Sequence, residues 1–508
     1  MNIPIREYAA RLNHDFDIRF IFGTQALKGD PAAAPQEGIV EAVHSRLASQ
    51  ADHKAIRFAL SVLCIPETSK KDTGRWKPRL EQIVKKADLL DMPVVGGHTV
   101  QGNSGFYILI AVDIHRHQAS RKTGVRSHIP PPAPPRSLHH KLDLCGSAQG
   151  CAAKYPPDQF AEIHRHILSQ RTLNNFSNMR VNDDAVCCRL DKHTAACFTI
   201  DIIKPIVRSA SLFGRIAVAH AANDLLAKGV RPEGGIEILS DDRRTGDETL
   251  KEIRWGGREE MTRRLKAGCL GSYELESRDL FYGTLFYGLC PWGDFIPNSD
   301  PKENDVLILT KPLGSGVLSR YAALKAFGLS RKEKNACALM LSHMLHPSAK
   351  MAEILRDSTG VHACTDISGF GLIGHLKEML EPAGLSARLW LPRIPFLPCA
   401  VEAYPKAVFC SVNRNMGHFS ACVHSAISAH GPETTAKMSL LYDAQTSGGF
   451  LVAASKRQTD KTLKEFLKLG SPSHIIGEVL RKKSWCIEIS DQNPCPRTPS
   501  KRERSTWA

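Results

Sequence analysis

The chain runs to 508 residues, 42% of them hydrophobic and 23% charged, with a formal net charge of +15. A length of this kind holds about two to four domains with ample core. No apolar run approaches the ~20 residues that span a bilayer; the longest, 106–112, is strand-sized, and the first residues lack the apolar core of a secretory signal.

The positive charge is spread along the chain and gathers only near the end, at Arg481, Lys482, Lys483, Lys501, Arg502 and Arg504. No helix-turn-helix, RNA-binding signature or aromatic-interleaved basic patch accompanies it, so neither nucleic acid nor a membrane is an expected partner. An anionic small molecule is served by such a charge, and 491–508 is expected as a solvated basic tail. The 15 cysteines include no CxxC pair, which points away from a zinc ribbon or a disulfide scaffold and toward reduced thiols in the cytoplasm.

Residues 1–50 are weakly patterned. From there, 56–65 is a buried-strand candidate and 78–90 an amphipathic helix, with Leu80, Ile83, Val84, Ala87 and Leu90 on one face. Val94-Val95 leads into Gly96-Gly97-His98-Thr99, expected as a turn, and 106–114 is another strand. The proline run at 129–135 favours stiff polyproline II and marks 129–140 as a linker. A second block starts near Lys141. Its order of strand (235–239), helix (248–265), Gly-rich turn (267–271) and strand (280–289) repeats that of 56–114, as an internal half-domain repeat would. A third block, 305–490, alternates strands and helices.

The stretch 181–229 carries the densest chemistry. Asp184 precedes the apolar run 185–188, Asp201 ends the run 195–200, and Asp224 sits in a helical pattern with Ile216, Ala217, His220, Ala221 and Asn223. Strands and a helix that each deliver a carboxylate to one end build a site for a hard divalent cation such as Mg²⁺. Spacing alone leaves helix caps and turn aspartates as an equal alternative. Gly369-Phe370-Gly371-Leu372-Ile373-Gly374 has the spacing of a dinucleotide-binding loop, but the next strand, 386–391, ends in Pro392 and Arg393 rather than an acidic residue, which argues against a nicotinamide enzyme. There is no GxxxxGK[ST] motif.

Seven motifs in order resemble selenophosphate synthetase (selenide, water dikinase), of the PurM-like superfamily of aminoimidazole ribonucleotide synthetase. They are Gly150-Cys151-Ala152-Ala153-Lys154, Asn182-Asp183-Asp184-Ala185-Val186, the stretch from Thr199 to Val207, Phe213-Gly214-Arg215-Ile216-Ala217, Leu309-Thr310-Lys311-Pro312-Leu313-Gly314, the stretch from Thr365 to His375, and the stretch from Asp443 to Gly449. The resemblance covers 141–490. It implies an α/β (α+β) two-domain PurM-like fold, with a mixed-sheet N-terminal ATP-binding domain over 141–296 and a C-terminal α/β domain over 305–490. Residues 1–128 are then an extra N-terminal half-domain. First-domain sheets of two subunits pair into a barrel in this superfamily, which implies a homodimer.

The implied reaction is ATP-dependent phosphorylation of selenide, releasing AMP and orthophosphate, with ATP and selenide as the small-molecule partners. Cys151 matches the catalytic Cys or selenocysteine, and Lys154 the essential lysine of a segment, 144–157, that is expected to be mobile without nucleotide. Lys154, Asp201 and Asp224 are the implied nucleotide-binding residues. Asp184, Asp201, Asp224 and Asp366 match the aspartates that hold Mg²⁺ against the ATP phosphates, with Asp184, Asp224 and Asp366 as the metal ligands and Lys311 nearby.

Four positions depart from the family pattern. Ile200 stands where Thr is usual, His220 where Asn is usual, and Ala444 where Pro is usual. The Gly-Gly-His-Ser/Thr element expected in the second half of the first domain reads Gly268-Cys269-Leu270-Gly271-Ser272-Tyr273, while an intact one sits upstream at 96–99. Two alternatives therefore stay open: a catalytically impaired paralogue that binds nucleotide or partners, and a related enzyme acting on an amide, carbamoyl or thiamine phosphate group.

Overall fold

The computed structural model describes residues 5–11, 16–27, 38–48, 56–66, 73–90, 92–102, 105–116, 135, 140–142, 144, 149–151, 176–177, 183–241, 244–325, 328–346, 348–407, 410–428, 431–471 and 473–492. Lys154, most of the linker 129–140 and the basic tail from 493 lie outside these residues. The chain divides into two compact units, Met1–Leu225 with Val230–Asp294, and Leu226–Gly229 with Phe295–Ala508.

The first unit contains one topology twice. β1 (Ile5–Arg11), β2 (Phe16–Leu27), α1 (Gly38–Ala48), β3 (Ile56–Pro66), α2 (Thr73–Leu89), β4 (Val94–Gly102) and β5 (Gly105–Arg116) form a sheet of order β1-β2-β5-β3-β4. β6 (Val186–Arg189), β7 (Thr194–Ile203), α3 (Ala210–Ala227), β8 (Gly234–Asp241), α4 (Asp247–Glu259), β9 (Gly268–Glu276) and β10 (Phe281–Pro291) form a second, of order β6-β7-β10-β8-β9. Each sheet has three antiparallel pairings and one parallel pairing, and the parallel pair is bulged at the corresponding place, after Ala59 in β3 and after Gly235 in β8. The repeat thus begins at Ile5, well before 56.

The two sheets pack face to face. Phe16, Ile18, Phe20 and Phe22 of β2 and Phe58, Leu60, Val62 and Cys64 of β3 alternate inward, as period-two strands require. They share one core with Phe198, Ile200, Ile202, Ile236, Ile238 and Tyr287 of the second sheet. The other face of the first sheet is covered by α1 and α2 through Val40, Val43, Leu80, Ile83 and Ala87. This corrects the expected arrangement: the face of the second sheet that was to pair with another subunit is covered by the chain's own first sheet.

Three other expectations change. Gly96-Gly97-His98-Thr99 and Gly268-Cys269-Leu270-Gly271 lie inside β4 and β9 rather than in turns, because parallel pairing continues past each bulge. The helix over 248–265 is α4 followed by a π-helical stretch, Glu260–Arg264. Cys187 and Cys197, opposite each other on β6 and β7 with Cα atoms 4.1 Å apart, are joined as a disulfide, whereas the ten other described cysteines are free thiols.

Glycine sets the spacing between α3 and α4. A Cβ on Gly214 would lie 1.9 Å from the Ile253 carbonyl oxygen, and one on Gly256 1.9 Å from that of Ser211. Both obstacles are backbone, so neither can swing aside. Gly256→Val is expected to destabilise the protein by about 1–3 kcal/mol or more, read as a lowered melting temperature. A melting temperature equal to wild type would show that the helices separate freely.

The second unit is built on a seven-stranded sheet of order β12-β15-β11-β16-β13-β17-β14. The strands are β11 (Val306–Leu309), β12 (Val361–Asp366), β13 (Leu385–Trp390), β14 (Val423–Ala426), β15 (Phe450–Ala454), β16 (His474–Arg481) and β17 (Ile487–Ser490). β11 is followed by α5 (Ser315–Lys325), and later helices include α6 (Arg331–Met344), α7 (Ser348–Asp357) and α8 (Gly371–Leu380). β12 pairs antiparallel with β15, so the glycines after it do not open a parallel dinucleotide fold. They serve packing: Gly371 has φ +69°, and a Cβ on Gly374 would meet Phe370 and Phe419.

No described helix is long and apolar enough to cross a membrane.

Candidate active site

Period-two geometry divides β7 between two environments. Phe198, Ile200 and Ile202 point into the core between the sheets, so Thr199 and Asp201 share the opposite face, the one α3 covers. On α3, His220 and Asp224 are four residues apart and lie on one side of the helix. The two pairs meet. Thr199 Oγ1 donates to Asp224 Oδ2 at 2.6 Å, and His220 Nε2 lies 2.9 Å from Asp201 Oδ2. Asp184, just before β6, brings a carboxylate oxygen within 4.8 Å of one from Asp224.

Cys151 joins this cluster from a distant part of the sequence. The Gly150 amide donates to the Lys204 carbonyl just past β7, and the Cys151 Sγ lies 2.6 Å from His220 Nε2. The thiol is 1% exposed. Of the segment expected to be mobile, this part is held inside, while Lys154 lies outside the described residues. His220 therefore presents one nitrogen to both Cys151 and Asp201, which is a three-way cluster rather than a linear relay. Burial opposes a charged imidazole here, but the Cys151 sulfur and the Asp201 carboxylate outweigh it and hold the His220 pKa well above 6.5.

In the second unit, Asp366 ends β12, is 1% exposed and has a buried Oδ2 without a hydrogen-bond partner among the described residues. Lys311, just past β11, is buried as well, and its Nζ donates to the Ser447 carbonyl at 3.1 Å. Burial lowers the Lys311 pKa to about 8, against the opposing pull of Asp366. The glycine pair at 448–449 lets the loop before β15 pass close to Ile367 and Lys311: a Cβ on Gly448 would lie 2.1 Å from the Ile367 carbonyl oxygen, and one on Gly449 2.5 Å from the Lys311 amide nitrogen.

Asp443 and Gln445 fasten that loop to the start of α5. Asp443 Oδ2 accepts from the Gly316 and Val317 amides, and Gln445 Oε1 accepts from the Gly314 and Ser315 amides and from the Ser315 hydroxyl. Burial pushes the Asp443 carboxyl up to about 7 despite these donors. A folded pKa above the unfolded 3.8 means that the native state holds the extra proton between pH 4 and 7, so this group's contribution to stability falls as pH rises through that window. Asp443→Asn, which keeps an acceptor for the helix amides, is expected to remove that dependence. Melting temperatures of wild type minus variant should decrease from pH 4.5 to pH 7; a constant difference would rule the titration out.

Comparison with known proteins follows these two groups of residues. The N-terminal domain model of AIR synthase related protein matches 182–271, and its C-terminal domain model matches 302–485. The selenide, water dikinase of Campylobacter jejuni subsp. jejuni serotype O:2 is 33% identical over 349 residues, covering 68% of this chain and 96% of that protein. That of Carboxydothermus hydrogenoformans is 30% identical over 350 residues, covering 68% and 98%.

The chain belongs to the selenide, water dikinase family.

Its fold is PurM-like, and a solved structure described as AaThiL complexed with AMPPCP and TMP shares it, with a TM-score of 0.50 at 12% identity over 67% of this chain and 96% of that one. Two of the departures from the selenide, water dikinase pattern now have physical accounts. Ile200 points into the core between the sheets and away from the carboxylates. His220 contacts the thiol directly, a role that sequence reading missed although its spacing from Asp224 was visible. Nothing in the structure explains Ala444 in place of proline. Thr199, which orients Asp224, was also missed; its signal was the two-residue spacing from Asp201.

Proposed function

We propose that this chain phosphorylates selenide at the expense of ATP and water, giving selenophosphate, AMP and orthophosphate. The observation that carries the reading is the contact of Cys151 with His220, which is itself paired with Asp201, inside a chain of this family. A thiolate is a soft nucleophile suited to handling selenium, and an adjacent imidazolium stabilises it. His220 thus takes the thiol proton and retains it, with Asp201 offsetting the resulting charge. The cytoplasm is the setting of this reading, with ten of the described cysteines as free thiols.

Asp184, Asp224 and Asp366 are the proposed Mg²⁺ ligands, Asp201, Asp224 and Lys154 the proposed nucleotide-binding residues, and Cys151 and Lys154 the proposed catalytic pair. The donor set suits the ion: it is all oxygen, and the buried Asp366 Oδ2 has no hydrogen-bond partner among the described residues. Magnesium, when bound, offsets charge on the nucleotide phosphates. Thr199 keeps the Asp224 carboxylate turned toward Asp184.

The impaired-paralogue reading rested on Ile200, His220 and the altered strand at 268–273. The first faces away from the site and the second engages the thiol, which supports turnover instead. The test is purified protein with ATP, Mg²⁺ and selenide, followed by phosphorus NMR. AMP and a selenium-bonded phosphate are expected. Nucleotide binding with neither product would favour the paralogue.

A further inference from the structure

The two halves of the first unit can be superposed residue by residue through their sheet registers, and they have lost opposite things. One cross-strand row of the second sheet reads Ser272, Glu237, Thr284, Asp201, taken across β9, β8, β10 and β7. The matching row of the first sheet, counted from the corresponding bulge, reads Gly97, Ser61, Leu109, Gly23 across β4, β3, β5 and β2. The row before pairs Gly271 with Gly96 and Ile200 with Phe22, and the row after pairs Tyr273 with His98. The second half therefore keeps the acidic residue and has replaced the second glycine and the histidine. The first half keeps Gly96-Gly97-His98 and has glycine where the acid would stand.

The contacts between the halves follow the same division. β4 packs against β7, the strand that carries Thr199 and Asp201. β6 pairs with β7 only over 195–198, so Thr199 and Asp201 lie beyond the part of that edge it covers. At the counterpart location β1 packs against β9. There Tyr8 stands over Gly271, with its ring carbon 2.3 Å from where a Cβ would be, and its hydroxyl donates to the Ser272 carbonyl. Phe22 stacks on Tyr273 at 4.7 Å between ring centroids. Aromatic rings fill the second location. Paired glycines inside a strand cost stability unless something must approach the backbone closely, and the β4 pair lies in the strand that packs against β7.

We infer that the N-terminal half-domain is a built-in partner: it occupies within one chain the face a second copy would take, and its strand β4 forms a wall of the site centred on Asp201. The molecule then works as a monomer with a single site, its pseudo-symmetric counterpart being closed by Tyr8, Phe22 and Tyr273. The function of that wall rests on the nucleotide-binding reading above; the monomeric state does not.

Light scattering during gel filtration of the full chain separates the two. A single species of one chain mass, 56.0 kDa, is expected, and a two-chain mass would overturn the inference whatever the activity. The second arm mixes two inactivated full-length variants, Gly97→Val and Asp201→Asn, under conditions that allow subunit exchange, and also co-expresses them. Each is expected to retain less than a hundredth of wild-type AMP formation, and the mixture to recover none, because wall and carboxylate must come from one chain. Recovery toward a quarter of the wild-type rate would mean that sites are shared between copies and would overturn the inference. Gly97→Ala, with a melting temperature within 2 °C of wild type as the criterion of folding, is expected to weaken binding of a non-hydrolysable ATP analogue about tenfold. Unchanged affinity in that variant would remove β4 from the site.

Discussion

Cys151→Ser is expected to abolish selenide-dependent AMP formation, with a loss on the order of 10³-fold or more, while an ATP analogue still binds with nearly unchanged affinity. The two parts have separate physical origins. A serine hydroxyl does not ionise near neutrality, so it cannot form the anion that His220 stabilises, and its oxygen is a hard centre where selenium calls for a soft one. The carboxylates assigned to the nucleotide and its metal, by contrast, are fastened by groups other than the thiol. Asp224 is held by Thr199, and Asp366 ends a strand of the second unit. Serine is close in size to cysteine, so the buried position tolerates it without opening a cavity of consequence. Steady-state AMP release and calorimetric titration with a non-hydrolysable analogue decide the matter. Full activity in the serine variant would refute the nucleophilic role and move the alternative substrates of the superfamily ahead.

How much of this was legible in the sequence varies with how each signal is encoded. The acidic residues of 181–229 stood out because Asp184 opens and Asp201 closes an apolar run while Asp224 sits in a helical pattern, and runs of that kind are what strands and buried helices require. The strand β2 was overlooked, although Phe16, Ile18, Phe20 and Phe22 alternate cleanly with Asp17, Arg19 and Ile21. Two charged residues in a short run look like a solvated loop, yet both are buried in the structure, Arg19 through ion pairs with Glu7 and Asp113. Partnership across 94 positions leaves no local trace. The same holds for the contact of Cys151 with His220, 69 residues apart, although the thiol itself stood out through the motif Gly150-Cys151-Ala152-Ala153-Lys154. The glycine pairs misled for another reason. Glycine is the usual signal of a turn, but in β4 and β9 it follows a bulge inside a parallel pair, and the need it serves is close approach rather than chain reversal. The duplication was half visible, because order of elements survives in sequence pattern while the complementary losses at Gly23 and Ser272 become visible only through the registers.

His220→Ala is expected to lower AMP formation at pH 7 by about 10²–10⁴-fold and to change how the rate depends on pH. In the native cluster the imidazole is held charged well above 6.5 by Cys151 and Asp201 together, against the opposing effect of burial. Its positive charge is present across the neutral range and lies against the sulfur. Removing the ring removes the imidazolium that contacts the sulfur and leaves Asp201 as a nearby negative charge. Both changes disfavour the thiolate, so the variant must rely on solution pH to ionise Cys151. An ordinary thiol ionises near pH 8.5. The sign follows directly: the ratio of wild-type to variant rate should be largest near pH 6.5 and shrink as pH rises toward 9.5. Taking the ratio at each pH cancels the ionisation of selenide and of ATP, which the two proteins share. His220→Asn, which restores the residue usual in the family, removes the charge but can still donate a hydrogen bond, and its loss should be smaller than that of the alanine variant. A ratio that stays flat from pH 6.5 to 9.5 would show that His220 shapes the pocket without activating the thiol.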